Sequence, residues 1–273
     1  MTSLWIALGG ILAVGILYLW MIAPRSRKKR PDDRPFRNRE FAHRGLHGSS
    51  APENSLEAFR RAVEGGYGME LDIHLLKDGS LAVLHDHSLQ RTAGADVNIE
   101  DLTAEELKIF RLEGTDEPIP LFSQVLELVA GRTPLIVELK STTENFAALT
   151  EAATRMLDGY RGVYCLESFD PRCIGWLKKH RPQLIRGQLA ENFLRAKGGI
   201  KPIFKVLMSW QLTHFLTQPD FVAFKYRDRK NLGTWLSRHL WGAQGVSWTL
   251  KTQQELDTAE KEGWIPIFED FTP

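Results

Sequence analysis

His43, Arg44, Glu70, Asp72 and His85 fall within one short span of this chain, between Phe41 and Asp86. Two imidazoles, a guanidinium and a close pair of carboxylates are an inventory for metal-assisted chemistry on a phosphate. Glu70 and Asp72 are separated by one residue, so on a strand their side chains leave the same face, roughly 6–7 Å apart. Like charges held that close repel unless protons or a cation compensate, and their oxygens suit a divalent cation, Ca²⁺ or Mg²⁺. Two solvated acids on an edge strand are the plainer alternative. Glu138 and Lys140 repeat the spacing further on. Glu138 can complete the cation site and Lys140 can meet a phosphate oxygen, although a lone Glu-x-Lys is more often an ordinary ion pair. His43 and His85, each at the end of an apolar run and each followed by a charged residue, suit a general acid and a general base. Arg44 offers a planar fork to a phosphate, or to a carboxylate such as Glu70. His47, His74 and His87 rank lower, though His74 shares the face of Glu70 and Asp72.

The elements that must position these groups are short apolar runs alternating with amphipathic stretches. Strands are predicted at 40–43, 69–73, 135–139, 163–166, 184–188, 221–224, 245–248 and 265–268, with a further short one at 81–84. Between them, Asn54 with Glu57 reads as a capping pair, followed by an apolar stripe of Leu56, Phe59 and Val63 and ended by Gly65-Gly66. Thr103-x-x-Glu106 and Thr252-x-x-Glu255 open two more helices, the second closed by Gly263. Strands separated by helices imply parallel pairing through right-handed crossovers. Eight such units over ~235 residues fit a (β/α)8 TIM barrel, whose catalytic groups sit at the ends of several strands. A doubly wound sheet competes, but no Gly-x-Gly-x-x-Gly follows the first strand.

The N-terminus is a separate object. Leu4 to Ile22 is a run of 19 residues without a charge. That is long enough for one transmembrane helix, with Trp5, Tyr18 and Trp20 near its ends, where such rings favour the interface. A cleaved signal peptide is the rival, weakened by the lack of a basic start and of a small-x-small site. Arg25, Arg27, Lys28, Lys29 and Arg30 follow at once and bias the remainder to the cytoplasm. The expected organisation is a transmembrane anchor at 1–23, a basic, solvated linker at 24–38 and a catalytic domain at 39–273. The net charge of +1 over 273 residues argues against a nucleic-acid partner. Cys165 and Cys173 make neither a disulfide framework nor a metal motif.

His-Arg-Gly at 43–45, Pro-Glu-Asn-Ser at 52–55, Glu-x-Asp at 70–72, Lys-Asp-Gly at 77–79, His-Asp at 85–86 and Glu-x-Lys at 138–140 occur in this order. Together they resemble the glycerophosphodiester phosphodiesterase family. The match is dense from Phe41 to Lys140 and thins afterwards to Glu167-Ser168-Phe169-Asp170 and Val246-Ser247-Trp248-Thr249. The resemblance implies a TIM barrel with a small insertion after the second βα unit, at Ser88 to about Pro118. It implies metal-dependent hydrolysis of glycerophosphodiesters to glycerol 3-phosphate and an alcohol. His43, His85 and Arg44 match the family's catalytic residues, Glu70, Asp72 and Glu138 its metal ligands, and Lys140 its phosphate-binding lysine. Trp248 falls where an aromatic often lines the substrate mouth. Three departures stand out: Ser55 for a threonine, Gly68 for an acidic residue, and Ile265-Pro266-Ile267-Phe268-Glu269-Asp270 in the last strand, which alters the pocket rim. Alternatives are a lysophospholipase D acting on membrane lysophospholipids, a phospholipase C-type lyase, and a tethered binding protein without turnover. No protein partner is expected.

Overall fold

The computed structural model describes residues 2–195 and 201–273. Nine strands form: β1 (Phe41–His43), β2 (Gly68–Leu75), β3 (Leu81–Val83), β4 (Leu135–Leu139), β5 (Tyr164–Ser168), β6 (Arg186–Ala190), β7 (Phe221–Lys225), β8 (Gln244–Leu250) and β9 (Trp264–Phe268). All nine predicted strands are present, with ends displaced by up to two residues. Eight of them pair in parallel, and β1 meets both β2 and β9, which closes a barrel. β3 lies outside the ring, antiparallel to β2.

Because helices cover the outer face, barrel strands are buried on both sides and read as short apolar runs. The outer core joins Leu71, Val137 and Leu166 to helix residues such as Phe59, Phe122 and Ile174. The lower lumen is filled by Phe41, Ile136, Phe221, Val246 and Ile265. Gly68 belongs to this packing, since a Cβ there would lie 2.5 Å from the Phe41 ring. The missing acidic residue before Glu70 thus reflects room taken by Phe41. Residues 88–118 form the insertion around Leu89, Ile99, Leu107 and Leu112. It sits inside the second unit, after β2 and β3 and before the helix Phe122–Val129. Thr103 and Glu106 form the expected reciprocal cap, and Thr252 caps its helix through the Glu255 amide. The helix Leu56–Glu64 is instead capped by Ser55, whose Oγ accepts from the Ala58 amide. Asn54 is freed for another task.

The helix Thr2–Met21 stands largely clear of the barrel, with Ser3–Met21 unburied across its apolar window. The following segment is no solvated tether. Arg25 is buried in an ion pair with Asp220 at 3.1 Å, and Phe36 stacks on Phe41 with centroids 6.1 Å apart. Arg27 and Arg30 donate to the carbonyls of Trp241 and Gly242, just before β8. Residues 22–36 therefore run across the barrel's N-terminal end, with Arg25, Arg27 and Arg30 engaged by backbone carbonyls and one buried acid while Lys28 and Lys29 stay exposed.

Candidate active site at the barrel mouth

The opposite end is polar. Strand register places His43 beside Glu70, and Asp72, Glu138 and Glu167 in one row across β2, β4 and β5. His43, Arg44, Glu70, His85, Glu138 and Trp248 line a single cavity, to which Glu167, Phe169 and Glu269 also contribute. Lys140 borders it, with Nζ 3.1 Å from Glu138 and 3.5 Å from Asp72. All eight residues singled out in the sequence thus converge.

Each of the two histidines is held in the same way. Nδ1 of His43 donates to Glu269 Oε1 at 3.0 Å, and Nδ1 of His85 donates to Asp86 Oδ1 at 2.6 Å. A carboxylate only accepts, so Nδ1 carries the hydrogen and Nε2 is left to the cavity side. For His43 that Nε2 lies 3.8 Å from Glu70. Burial lowers the pKa of both rings, against the pull of Glu269 on His43 and of Asp72 on His85. Asp86 is braced by Arg91, which also forks onto Glu53 at 2.6 and 3.1 Å. Glu53 in turn holds Arg44 Nη1 at 3.0 Å.

Arg44 has φ +54° and Asn54 φ +57°, both in the left-handed region. Such residues cost ~1–3 kcal/mol each and persist where surroundings fix them. Here the Asn54 amide donates to the Arg44 carbonyl at 2.9 Å, and its Nδ2 donates to Asp72 Oδ2 at 2.9 Å. Gly45 follows at φ +78°, where a Cβ would lie 2.8 Å from Ala58, so His-Arg-Gly needs its glycine.

Four buried carboxylates, those of Glu70, Asp72, Glu138 and Glu167, face two cations, Arg44 and Lys140. Burial and the neighbouring acids push Glu70 and Glu167 well above the usual carboxylate range. Burial also raises Glu138, to about 7, despite Lys140. At Asp72 burial pushes upward, but Lys140, His85 and Arg44 outweigh it and hold the group ionised. Oxygens of Glu70, Asp72 and Glu138 lie within 4.8 Å of one another. Asp72 Oδ1 is buried without a hydrogen-bond donor. An all-oxygen set with surplus negative charge and an unspent lone pair fits a hard divalent cation.

Trp248 forms one wall, edge-on to Phe169 with centroids 5.6 Å apart. His47 lies 3.5 Å from Glu269. His74 turns away from the cavity: it and His87 share Glu100 Oε1, at 2.8 and 2.5 Å, and tie the insertion to β2. Sequence reading missed Glu269, Glu167 and the role of Asn54. Alternation was the available signal for the acids. Glu269 continues the inward parity of Ile265 and Ile267, and Glu167 that of Cys165.

Residues 43–272 match the model of the glycerophosphoryl diester phosphodiesterase family. The chain belongs to that family. A glycerophosphodiester phosphodiesterase of Bacillus altitudinis is 38% identical over 130 residues, 44% of this chain and 53% of that protein. The rat protein named lysophospholipase D GDPD1 is 36% identical over 146 residues, 49% of this chain and 45% of its own. The chain thus spans about half the length of these curated relatives. The fold is similar to that of an Oleispira antarctica phosphodiesterase solved with its product sn-glycerol-3-phosphate. That match has a TM-score of 0.70 at 20% identity and covers 85% of this chain and 93% of that one. Glu269, the residue after β9, lies within the matched region.

Proposed function

We propose that this family member hydrolyses glycerophosphodiesters to glycerol 3-phosphate and an alcohol. The observation that carries the reading is the paired histidines, each braced at Nδ1 by a carboxylate, flanking a cluster of three carboxylates with Arg44 and Lys140 beside it. Glu70, Asp72 and Glu138 would hold a divalent cation, Ca²⁺ or Mg²⁺, which when bound supplies Lewis-acid neutralisation of the phosphate charge. Arg44 and Lys140 orient the phosphate oxygens and take up charge that builds on them. One histidine, in its neutral form, removes through Nε2 the proton of the attacking water, and the other, in its protonated form, gives its Nε2 proton to the departing alkoxide. Glu269 and Asp86 keep each ring in the required tautomer and stabilise it when it becomes cationic. Trp248 and Phe169 restrict water on the far wall.

The test is release of choline and glycerol 3-phosphate from glycerophosphocholine by the full chain. His43→Ala and His85→Ala should each lower kcat by ~10²–10⁴-fold with the melting temperature nearly unchanged. EDTA should abolish turnover, and Ca²⁺ or Mg²⁺ should restore it. Unchanged turnover in His85→Ala would sink the assignment.

Lysophospholipase D activity is a second reading, favoured by the apolar helix Thr2–Met21 and by the likeness to the rat lysophospholipase D. On this reading the helix is a single-pass anchor, and the basic residues after it keep the barrel in the cytoplasm.

A further inference from the structure

The direction in which the N-terminal helix leaves the barrel fixes which face meets a bilayer. Arg25 is anchored to Asp220, at the start of β7 and so at the end of the barrel away from the site. Moving back along the chain, the Ile22 carbonyl accepts from Ser237 Oγ and His214 Nδ1. Tyr18 lies against Gly233 and Trp210. The helix Leu232–His239 descends from the mouth after β7, so Gly233 is nearer the mouth than Ser237. Four residues separate each pair, and the two helices run side by side in the same sense. The remaining turns, from Leu17 back to Ser3, therefore continue past the mouth end, for roughly 22 Å at 1.5 Å per residue.

The part of the rim beside that exit is unusually apolar. Leu194 is 54% exposed, Ile203 59%, Phe204 51%, Leu232 53% and Trp235 53%. The helix Pro202–Ser209 buries only Ser209, whose carbonyl accepts from Asn231 at the mouth end of Leu232–His239. Basic side chains are interspersed: Arg195, Lys201, Arg227 and Lys230 are exposed on the loops after β6 and β7. The nearby acids are engaged, Glu191 with Lys225 and Asp228 with Arg195. An apolar face fringed by cations and continuous with an apolar helix matches an interface of acyl chains below phosphate head groups.

We propose that this rim, built on the helix Pro202–Ser209 and the start of Leu232–His239, rests in the surface of a phospholipid bilayer, so that the barrel mouth opens toward lipid. The inference deepens the reading of Thr2–Met21 as a membrane anchor and rests on it. It gives the site access to substrates that partition into the bilayer without leaving it.

The test uses the full chain in vesicles of phosphatidylcholine and phosphatidylglycerol. A polarity-sensitive dye is placed at Leu12→Cys, Ile203→Cys, Trp235→Cys or Val163→Cys. Cys165 and Cys173 are buried and escape labelling. Val163 is exposed just before β5, at the end away from the mouth. Nitroxide lipids should quench the Leu12, Ile203 and Trp235 dyes severalfold more than the Val163 dye, and iodide should do the reverse. If Leu12 is in lipid while Ile203 and Trp235 behave like Val163, the rim proposal falls and the anchor stands. If Leu12 is open to iodide, the anchor reading falls, and with it the orientation of the mouth toward lipid.

Discussion

Glu269 is the residue on which the two histidine environments diverge. Asp86 serves His85 alone among the histidines and is braced by Arg91, whereas Glu269 accepts from His43, stands 3.5 Å from His47 and is met by Lys251 at 3.0 Å. Burial pushes the Glu269 carboxyl up, but the bond from His43, with His47 and Lys251 close by, outweighs it and holds the group ionised. Glu269→Gln keeps an acceptor for Nδ1 and removes the charge that favours a cationic His43 ring. In the glycerophosphocholine assay, kcat should drop by about 10- to 100-fold, equivalent to ~1.4–2.7 kcal/mol of transition-state stabilisation. KM should change little, because the ion pairs of Glu269 are to His43, His47 and Lys251 and not to Arg44 or Lys140, the proposed phosphate-binding pair. A rise in KM at unchanged kcat would instead make Glu269 a substrate contact.

Among the elements, the strands and several helix starts were legible because each is specified locally. Parallel strands buried on both faces must be apolar runs, and Thr103-x-x-Glu106 closes its cap within four residues. What was illegible depends on distant partners. Asn54 beside Ser55 looks like a helix cap, yet Ser55 takes that place and Asn54 reaches Asp72, eighteen residues on. The segment 24–38 reads as a solvated linker because its arginines conceal their acceptors: Asp220, Trp241 and Gly242 lie some two hundred residues away. His214 belongs to the same seam and gives it a pH signature. Fully buried, it donates from Nδ1 to the Ile22 carbonyl at 3.2 Å, and burial lowers its pKa to about 4. An unfolded histidine titrates near 6.5, so between pH 6.5 and 4 the unfolded chain holds the extra proton. Stability should therefore be unaffected by this group above pH 6.5 and fall by about 3 kcal/mol as pH drops to 4. Urea unfolding in detergent across that range should show the loss, and His214→Asn should flatten it at the expense of a lower plateau.

At the scale of the whole molecule, the barrel is closed at one end by its own N-terminal segment and open at the other toward the direction the apolar helix takes. With the mouth seated as proposed, that arrangement would treat two substrate classes differently. A water-soluble glycerophosphodiester reaches the mouth by diffusion and gains nothing from a rim seated in lipid. A lysophospholipid partitions into the bilayer, and its head group must travel from the interface to Arg44 and Lys140. The rim side chains Ile203 and Phe204 can then matter only for the second class, since they lie outside the cavity that holds His43 and His85. Burying two such side chains is worth ~1.5–3 kcal/mol each. Replacing both by serine should loosen the proposed seating without detaching a chain that, on the anchor reading, the helix Thr2–Met21 still holds. In proteoliposomes, Ile203→Ser with Phe204→Ser should cut kcat/KM for lysophosphatidylcholine about tenfold or more and leave that for glycerophosphocholine within twofold. Equal losses on both substrates would mean that the rim helix shapes the cavity itself. Equal retention would mean that lipid substrates enter by another side of the mouth.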